Sequence, residues 1–528
     1  MHGVAELLGA AAVAYLASRR FGLPAIPLLI LAGAVLALVA PPPAEIRDAG
    51  LVLGVSFLLF LAGMELDSRR LRHHGRAVLR VGLVQFVVLA VLGWGLATLM
   101  GLSAVEAGYV ALALPASSTL VGVRLLRQRQ QVFESVGRLV LGVLLLQDVL
   151  VLLTIPLVTE FSQGTAAVAL KTLQVAGLTA VAWALRRWLA PVFLRWVDES
   201  ELLLLGSLTV LFVLLGACRL LDLPVVVGAF LAGVAFSRFP VHGVLRAELA
   251  PLGDFFTAIF FTSLGALVRV PTVDELVMAG VFVAVVVGLT PPLVRWMAER
   301  AGLTSRSALE AGLLLSQTSE ISLVVGLAGM LQGDISESLF VVIAMVTTVT
   351  MLLTPFLSTE DATEAFMTLF TGPPADTGTP PTDHVLLLGA GSTGMPLLED
   401  LILSGCRVVV LDDDPAVVRQ VREAGVEAIL GEAWDPEVLR AAGVDEARVV
   451  VSTIRRPRDN AAALALATGS VVVRVFESDD ADWVQARGGE PILYSEAAAE
   501  ALVDWWDGAR EALARERRQR VAQGQGEA

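Results

Sequence analysis

The chain has 528 residues, 55% hydrophobic and 17% charged, with a mean hydropathy of +0.73 and a formal net charge of −14. An ordinary soluble domain carries about 25% charged residues, so most of this chain is not a soluble globule. The acidic balance and the lack of any sustained basic face exclude a nucleic acid partner. The two cysteines, Cys218 and Cys406, are far apart and form neither a disulfide framework nor a metal-ligand spacing; they read as small apolar side chains.

The charge deficit is uneven. Residues 1–358 are apolar blocks and residues 383–528 hold most of the acid, so a membrane domain precedes a soluble one. The first apolar stretch, Val4 to Ala17, lacks a basic leader and is followed by Arg19 and Arg20, so it reads as a span and not a signal peptide. Apolar runs predict about thirteen spans: 3–18, 23–40, 48–66, 77–100, 104–126, 135–158, 165–189, 201–220, 223–239, 250–269, 272–298, 307–331 and 336–357. Loops after odd-numbered spans carry Arg19, Arg20, Arg69, Arg70, Arg72, Arg76, Arg127, Arg129, Arg186, Arg187, Arg195, Arg246, Arg300 and Arg306. Even loops carry little beyond Arg47, Lys171, Arg219 and Arg269. The positive-inside rule then puts the N-terminus outside and the C-terminal domain in the cytoplasm.

Two spans hold polar clusters that lipid would forbid. Span 5 reads Ala113-Leu-Pro-Ala-Ser-Ser-Thr-Leu120, with Ser117, Ser118 and Thr119; span 12 reads Leu314-Leu-Ser-Gln-Thr-Ser-Glu-Ile-Ser322, with Gln317 and Glu320. Interrupted helices in the two halves of a chain point to a transporter site at the midplane, where exposed backbone and half-helix dipoles can meet a cation. Interhelical hydrogen bonding is the alternative use of such hydroxyls. Span 6 carries Gln147 and Asp148 mid-run, and a carboxylate there is expected to face a water-filled path and to exchange protons or cations. Glu320 reads equally as a structural carboxylate. Asp67 and Asp254 read as interfacial, and His73 and His74 as a solvated loop pair.

Residues 359–382, with Gly-Pro-Pro and Thr-Pro-Pro-Thr, read as a linker, 383–510 as a Rossmann-like domain and 511–528 as a charged tail. His384-Val-Leu-Leu-Leu-Gly-Ala-Gly-Ser-Thr-Gly394 is a buried strand running into a glycine turn. Gly389, Gly391 and Gly394 allow close approach of a phosphate to a helix N-terminus, with Ser392 and Thr393 in the turn. Asp412 ends the next strand, placed for ribose hydroxyls, with Asp413 beside it. Further strands are expected over Ala428–Ala433, which runs through Glu432, over Arg448–Thr453, which ends at Thr453 near the phosphates, and over Ser470–Phe476. The expected ligand is a regulatory adenine nucleotide: NAD(H), AMP or ATP. No substrate domain or catalytic His/Lys pair accompanies the fold, so an enzyme is not expected.

Phe57–Asp67, the Ala-Ser-Ser-Thr stretch, Leu144–Asp148, Gly228–Gly233 and Leu315–Glu320 resemble, in order, the cation:proton antiporters of the Kef branch. The soluble part resembles the regulator-of-potassium-conductance nucleotide domain, of TrkA-N type. The resemblance implies a polytopic α-helical inverted repeat, a homodimer in the prokaryotic inner membrane, and Gln147–Asp148 as the cation and proton site. Gln before the Asp is associated there with potassium, Na⁺ being the alternative ion. The expected partners are K⁺, H⁺, the lipid bilayer, a second copy of the chain and an ancillary cytoplasmic regulator. Three positions depart from the pattern. Thr290 stands where the family commonly has Lys, and Lys171 is the chain's only lysine. Ser-Gln-Thr-Ser-Glu replaces Ser-Gln-Gly-Gly-Glu. Ser392 stands where glutathione-responsive members tend to have Arg, so glutathione gating is not implied. Two other readings remain at this point. One is a nucleotide-regulated channel, for which no Thr-Val-Gly-Tyr-Gly filter is present. The other is a non-transporting membrane sensor.

Overall fold

The computed structural model describes residues 2–64, 75–129, 131–132, 135–159, 165–193, 200–237, 241–301, 303, 305–359, 362–363, 365–366, 381–391, 393–413, 415–454, 456–500, 502–503 and 505–506. Asp67, His73, His74, Ser392, the tail and most of the linker lie outside the described residues. The chain divides into two compact units, Met1–Leu369 and Phe370–Ala528.

The first unit is helical. Its elements are α1 (His2–Phe21), α2 (Ala25–Val39), α3 (Ala44–Met64), α4 (Gly75–Leu99), α5 (Ala104–Ala113), α6 (Thr119–Gln128), α7 (Ser135–Thr159) and α8 (Thr165–Phe193). They continue with α9 (Ser200–Leu220), α10 (Val225–Ala235), α11 (Val241–Gly265), α12 (Val273–Arg300), α13 (Ser305–Leu315), α14 (Glu320–Gln332) and α15 (Glu337–Leu357). Each apolar run expected to span coincides with one helix, or with an interrupted pair where polar residues cut it: α5/α6 and α13/α14. Seven of these elements, counting α13 and α14 together, are long and apolar enough to cross a membrane. Boundaries shift where a helix outruns its apolar stretch. α11 begins at Val241, because the amphipathic segment holding Arg246 and Glu248 continues the helix ahead of the apolar run.

The packing repeats with an offset of seven elements, counting each interrupted pair as one. α1 lies on α2 as α9 lies on α10, α4 on α7 as α12 on α15, and α4 on α5 as α12 on α13. α2 crosses α11 as α10 crosses α3, and an odd offset inverts the second copy. Both of these crossings are backbone-to-backbone. A Cβ on Gly33 would sit 2.0 Å from the Thr262 carbonyl oxygen, and one on Gly233 would sit 2.0 Å from that of Phe60. The sequence carries the same repeat at a spacing of 200: Gly22-Leu-Pro24 and Asp222-Leu-Pro224 precede α2 and α10, and Leu-Ala-Gly ends at Gly33 and Gly233.

The second unit is a six-stranded, fully parallel sheet in the order β3-β2-β1-β4-β5-β6. The strands are β1 (His384–Leu388), β2 (Val408–Asp412), β3 (Glu427–Leu430), β4 (Ala447–Ser452), β5 (Ser470–Val475) and β6 (Glu490–Leu493). Helices α16 (Gly394–Leu403), α17 (Pro415–Glu423), α18 (Pro436–Ala441), α19 (Ala461–Leu466) and α20 (Ser478–Gln485) alternate with them. Valine- and leucine-rich strands suit a sheet buried on both faces, and separate apolar clusters form on its two sides. The chain order reverses between β1 and β4, which opens a crevice at the carboxyl ends of these strands.

Candidate functional site

The two helix breaks meet and satisfy each other. Pro115 interrupts the first, and the chain re-enters a helix at Ser118, whose hydroxyl oxygen accepts the Val121 N–H at 3.3 Å. The Ser118 hydroxyl also donates to Glu320 Oε2 at 2.7 Å, and the Ser117 hydroxyl to the Leu315 carbonyl at 2.9 Å. Ser322 Oγ returns a bond to the Ala113 carbonyl. Glu320 is the first residue of α14, where a carboxylate complements the helix dipole. Backbone N–H groups exposed by the breaks are met from the following helices. Ser117 N–H donates to Gln147 Oε1 at 3.0 Å, and Thr318 N–H to Thr350 Oγ1 at 3.1 Å. These bonds matter because a buried, unmet N–H costs several kcal/mol where no water is available.

Asp148 lies beside this knot on α7. It is only 7% exposed, and its Oδ2 accepts the Thr119 hydroxyl at 3.1 Å. It lines a cavity of about 400 Å³. One wall is α6, α7 and α14, with Thr119, Asp148 and Glu320; the other is α1, α2, α3 and α11, with Tyr15, Asp254 and Thr257. The cavity runs from Asp148 and Glu320 to Arg124 and Arg246, near the ends of helices that lead into arginine-rich loops. Arg124 closes the end of α1 by donating to the Leu23 and Gly22 carbonyls at 2.9 and 3.2 Å.

Of the site residues expected from sequence, Thr119, Asp148 and Glu320 line the cavity, whereas Ser117, Ser118, Gln147 and Gln317 do not. These four are buried and act within the knot. Neighbouring helical positions diverge by about 100°, so Asp148 on the cavity wall turns Gln147 inward. Thr290 is fully buried on α12, its hydroxyl oxygen has no hydrogen-bond partner among the described residues, and it too lies off the cavity. Asp254 was expected at the membrane interface. It is the fourteenth of the twenty-five residues of α11 and lines the same cavity as Asp148, a contact that the sequence reading did not include.

In the second unit Gly389, Gly394, Asp412 and Thr453 come together at the carboxyl ends of β1, β2 and β4. Gly389 has φ +81°, and a Cβ on Gly394 would stand 2.1 Å from the Gly389 carbonyl oxygen, so the turn needs glycine at both positions. Gly391 faces open space. Thr453 donates its hydroxyl to the Gly389 carbonyl at 2.8 Å and its N–H to the Leu388 carbonyl. Asp412 Oδ2 accepts the Ala390 N–H at 2.6 Å, so the residue expected at the ribose also braces the turn. Asp413 and Glu432 are half-buried just past β2 and β3. Arg474 on β5 was not anticipated. It donates to Thr393 Oγ1 at 2.7 Å and to the Thr453 carbonyl, and lies 5.0 Å from the Phe476 ring centroid. The signal for it was an arginine in an otherwise apolar strand. Thr393 makes no side-chain cap to α16, so the crevice offers a helix N-terminus, a turn open at Gly391 and a guanidinium. That donor set fits a dinucleotide or nucleotide phosphate.

Interrupted helices that cross beside a cavity carboxylate, in two inverted halves, define a secondary ion transporter, here followed by a Rossmann-type regulatory domain. The chain belongs to the sodium/hydrogen exchanger, transmembrane, family, which matches residues 7–359, and a TrkA-N domain matches residues 385–493. It is thus a cation:proton antiporter with a TrkA-N domain. It is 28% identical over 477 residues to the glutathione-regulated potassium-efflux system protein KefC of Shigella flexneri serotype 5b, covering 86% of this chain and 75% of the relative. KefC of Escherichia coli K12 is 29% identical over 427 residues, covering 77% of this chain and 67% of the relative. The membrane fold is similar to that of the sodium proton antiporter MjNhaP1 from Methanocaldococcus jannaschii. The TM-score is 0.53 at 15% identity, covering 68% of this chain and 97% of that one.

Proposed function

We propose that the transported cation is K⁺, that it and the proton share Asp148, and that nucleotide bound at the β1–β4 crevice sets the rate. The carrying observation is the position of Asp148, a buried carboxylate on the cavity wall beside crossed helix breaks, with the Thr119 hydroxyl at hand. A proton and a dehydrated cation each neutralise that anion, so they compete for it, and alternating access turns competition into exchange. The hydroxyl of Thr119 supplies a neutral ligand, which suits a weakly hydrated ion. Gln147 serves indirectly by holding Ser117 N–H and hence the geometry of the break.

The preference for K⁺ is supported by the potassium-efflux relatives and by Gln before the Asp. Thirteen crossings with the arginine-rich loops inside would open the cavity towards the cytoplasm and put the TrkA-N domain there, in the inner membrane of a prokaryote. A homodimer is part of the same reading. The crevice would hold an adenine nucleotide through the turn at Gly389–Gly394, Arg474 and Asp412. Such a ligand biases transport only by its differential affinity for the two transport states.

The test is potassium-driven proton flux in proteoliposomes of Asp148→Asn. An amide can neither carry the proton nor neutralise the cation, so exchange is lost; wild-type flux in this variant would sink the reading.

A further inference from the structure

The geometry points to Asp254 as a second ion-handling residue: a fixed anion on the opposite wall that draws cations from the open mouth of the cavity to Asp148. This rests on the reading of Asp148 as the exchange site.

Arg246, Ala250, Gly253, Asp254 and Thr257 all line the cavity. Their spacing of four, three, one and three places them on one face of α11. At 1.5 Å per residue the stripe descends about 12 Å from Arg246 to Asp254 and about 4.5 Å more to Thr257. Asp254 is therefore part-way along the route between the mouth and the Asp148 wall.

Other buried and half-buried acids of this unit are committed to structure. Glu310 accepts from Gln131 and pairs with Arg306, Glu275 is held by Arg269, Thr272 and Ser338, and Asp334 accepts from the Tyr109 hydroxyl. Asp254 makes no hydrogen bond or ion pair among the described residues, and Tyr15 lies close enough to feel its charge. Arg124, a basic residue of the facing helices that lines the cavity, is held at the end of α1 by two backbone carbonyls and makes no ion pair with Asp254.

An uncommitted carboxylate in a water-filled cleft with apolar walls concentrates cations, because low-dielectric walls focus its field. It remains exposed, so it attracts a hydrated ion without stripping it. Dehydration is left to Asp148 and Thr119. Asp254 belongs to the wall opposite Asp148, so its pull acts only while the cleft is open on this side.

The experiment is potassium titration of flux in vesicles that expose the cleft side, with Asp254→Asn and Asp254→Glu, at about 20 and about 300 mM choline chloride. For Asp254→Asn the half-saturating K⁺ should rise roughly three- to tenfold at low salt. The gap should close at high salt, where screening shortens the reach of the charge. The maximal rate should hold, Asp254→Glu should behave as wild type, and titration from the opposite side should not change. An unchanged half-saturation, a salt-independent shift or a lower maximal rate alone would overturn the proposal. Asp148→Asn, run in parallel, reports on the exchange site by itself, since only its failure abolishes flux at every K⁺ concentration.

Discussion

Gly233→Ala tests whether the wall facing Asp148 is built by direct backbone contact. A Cβ there would lie 2.0 Å from Phe60 O, 2.8 Å from Met64 N and 2.9 Å from Gly63 Cα, all backbone atoms that cannot rotate aside. Restoring ordinary contact needs α3 and α10 to part by roughly 1.5 Å. Phe60 and Phe236, with ring centroids 6.0 Å apart, would lose their fit across the crossing. Overpacking of this kind costs up to about 3 kcal/mol, and replacing a helical glycine with alanine returns about 1 kcal/mol. The net loss is about 2 kcal/mol. The assay is thermal unfolding in detergent beside Gly9→Ala on α1, where nothing lies within 4 Å of the added carbon. Gly233→Ala should melt clearly below wild type, and Gly9→Ala at or above it. Flux should fall while its pH profile keeps its shape, since Asp148 is untouched. Gly33→Ala, at the mirrored crossing, should lose a similar amount. If Gly233→Ala melts with Gly9→Ala, the close crossing is not what holds this wall.

Transport should be electroneutral, since the buried Thr290 contributes no charge and one carboxylate swapping one proton for one cation moves no net charge; an Asp148-dependent current on a solid-supported membrane would contradict this. Arg474→Gln should weaken ATP and NAD binding about ten- to hundredfold by calorimetry while sparing adenosine, because a charge-assisted contact is worth about 1.5–3 kcal/mol; equal losses for all three ligands would argue that Arg474 only supports the turn. His384 is buried, donates Nε2–H to the Ala442 carbonyl and has no partner at Nδ1 among the described residues; burial lowers its pKa below the usual 6.5, with Arg407 adding to it and the Ala442 bond, Glu427 and Asp383 opposing. Above that pH both folded and unfolded forms are neutral; below it the unfolded chain takes the proton first, so the soluble unit should lose stability as pH falls through about 6. Calorimetry should show His384→Leu flattening that slope, and an unchanged slope would reject the assignment.

The main outlines were legible because lipid leaves few choices. Apolar runs marked the helices, and the polar stretches at Ala113–Leu120 and Leu314–Ser322 became the breaks. Val-rich strands bounded by glycine marked the parallel sheet for the same reason of two-sided burial. What failed depended on facing. Gln147 and Asp148 are adjacent in sequence yet serve different surfaces, and hydropathy cannot say which of two polar neighbours meets a cavity. Nor can hydropathy say that Asp254, five residues into its apolar run, lines the same cavity as Asp148. The four-residue β6 was missed because Pro491 breaks the strand pattern, which an edge strand tolerates. The repeat at a spacing of 200 was there to be read, in Gly22-Leu-Pro24 and Asp222-Leu-Pro224, but it is carried by small and apolar residues that look like ordinary membrane sequence.

That repeat also sets Asp148 against a counterpart in the second half. Two hundred residues after Gln147 and Asp148 stand Thr347 and Thr348 on α15. The two breaks use their following helices alike: Gln147 meets Ser117 N–H, Thr350 meets Thr318 N–H, and Thr318 also donates its hydroxyl to Thr347 at 3.0 Å. The brace is thus preserved on both sides, while the position of Asp148 is taken by a hydroxyl, Thr348, in the second half. In the second half the hydroxyls close on each other and need no ion. In the first, the carboxylate is set on the wall of a cavity, where a proton or a cation can meet its charge. On the proposed reading of Asp148, an inverted scaffold changes the side to which that carboxylate is exposed, and one proton swapped there for one cation moves no net charge.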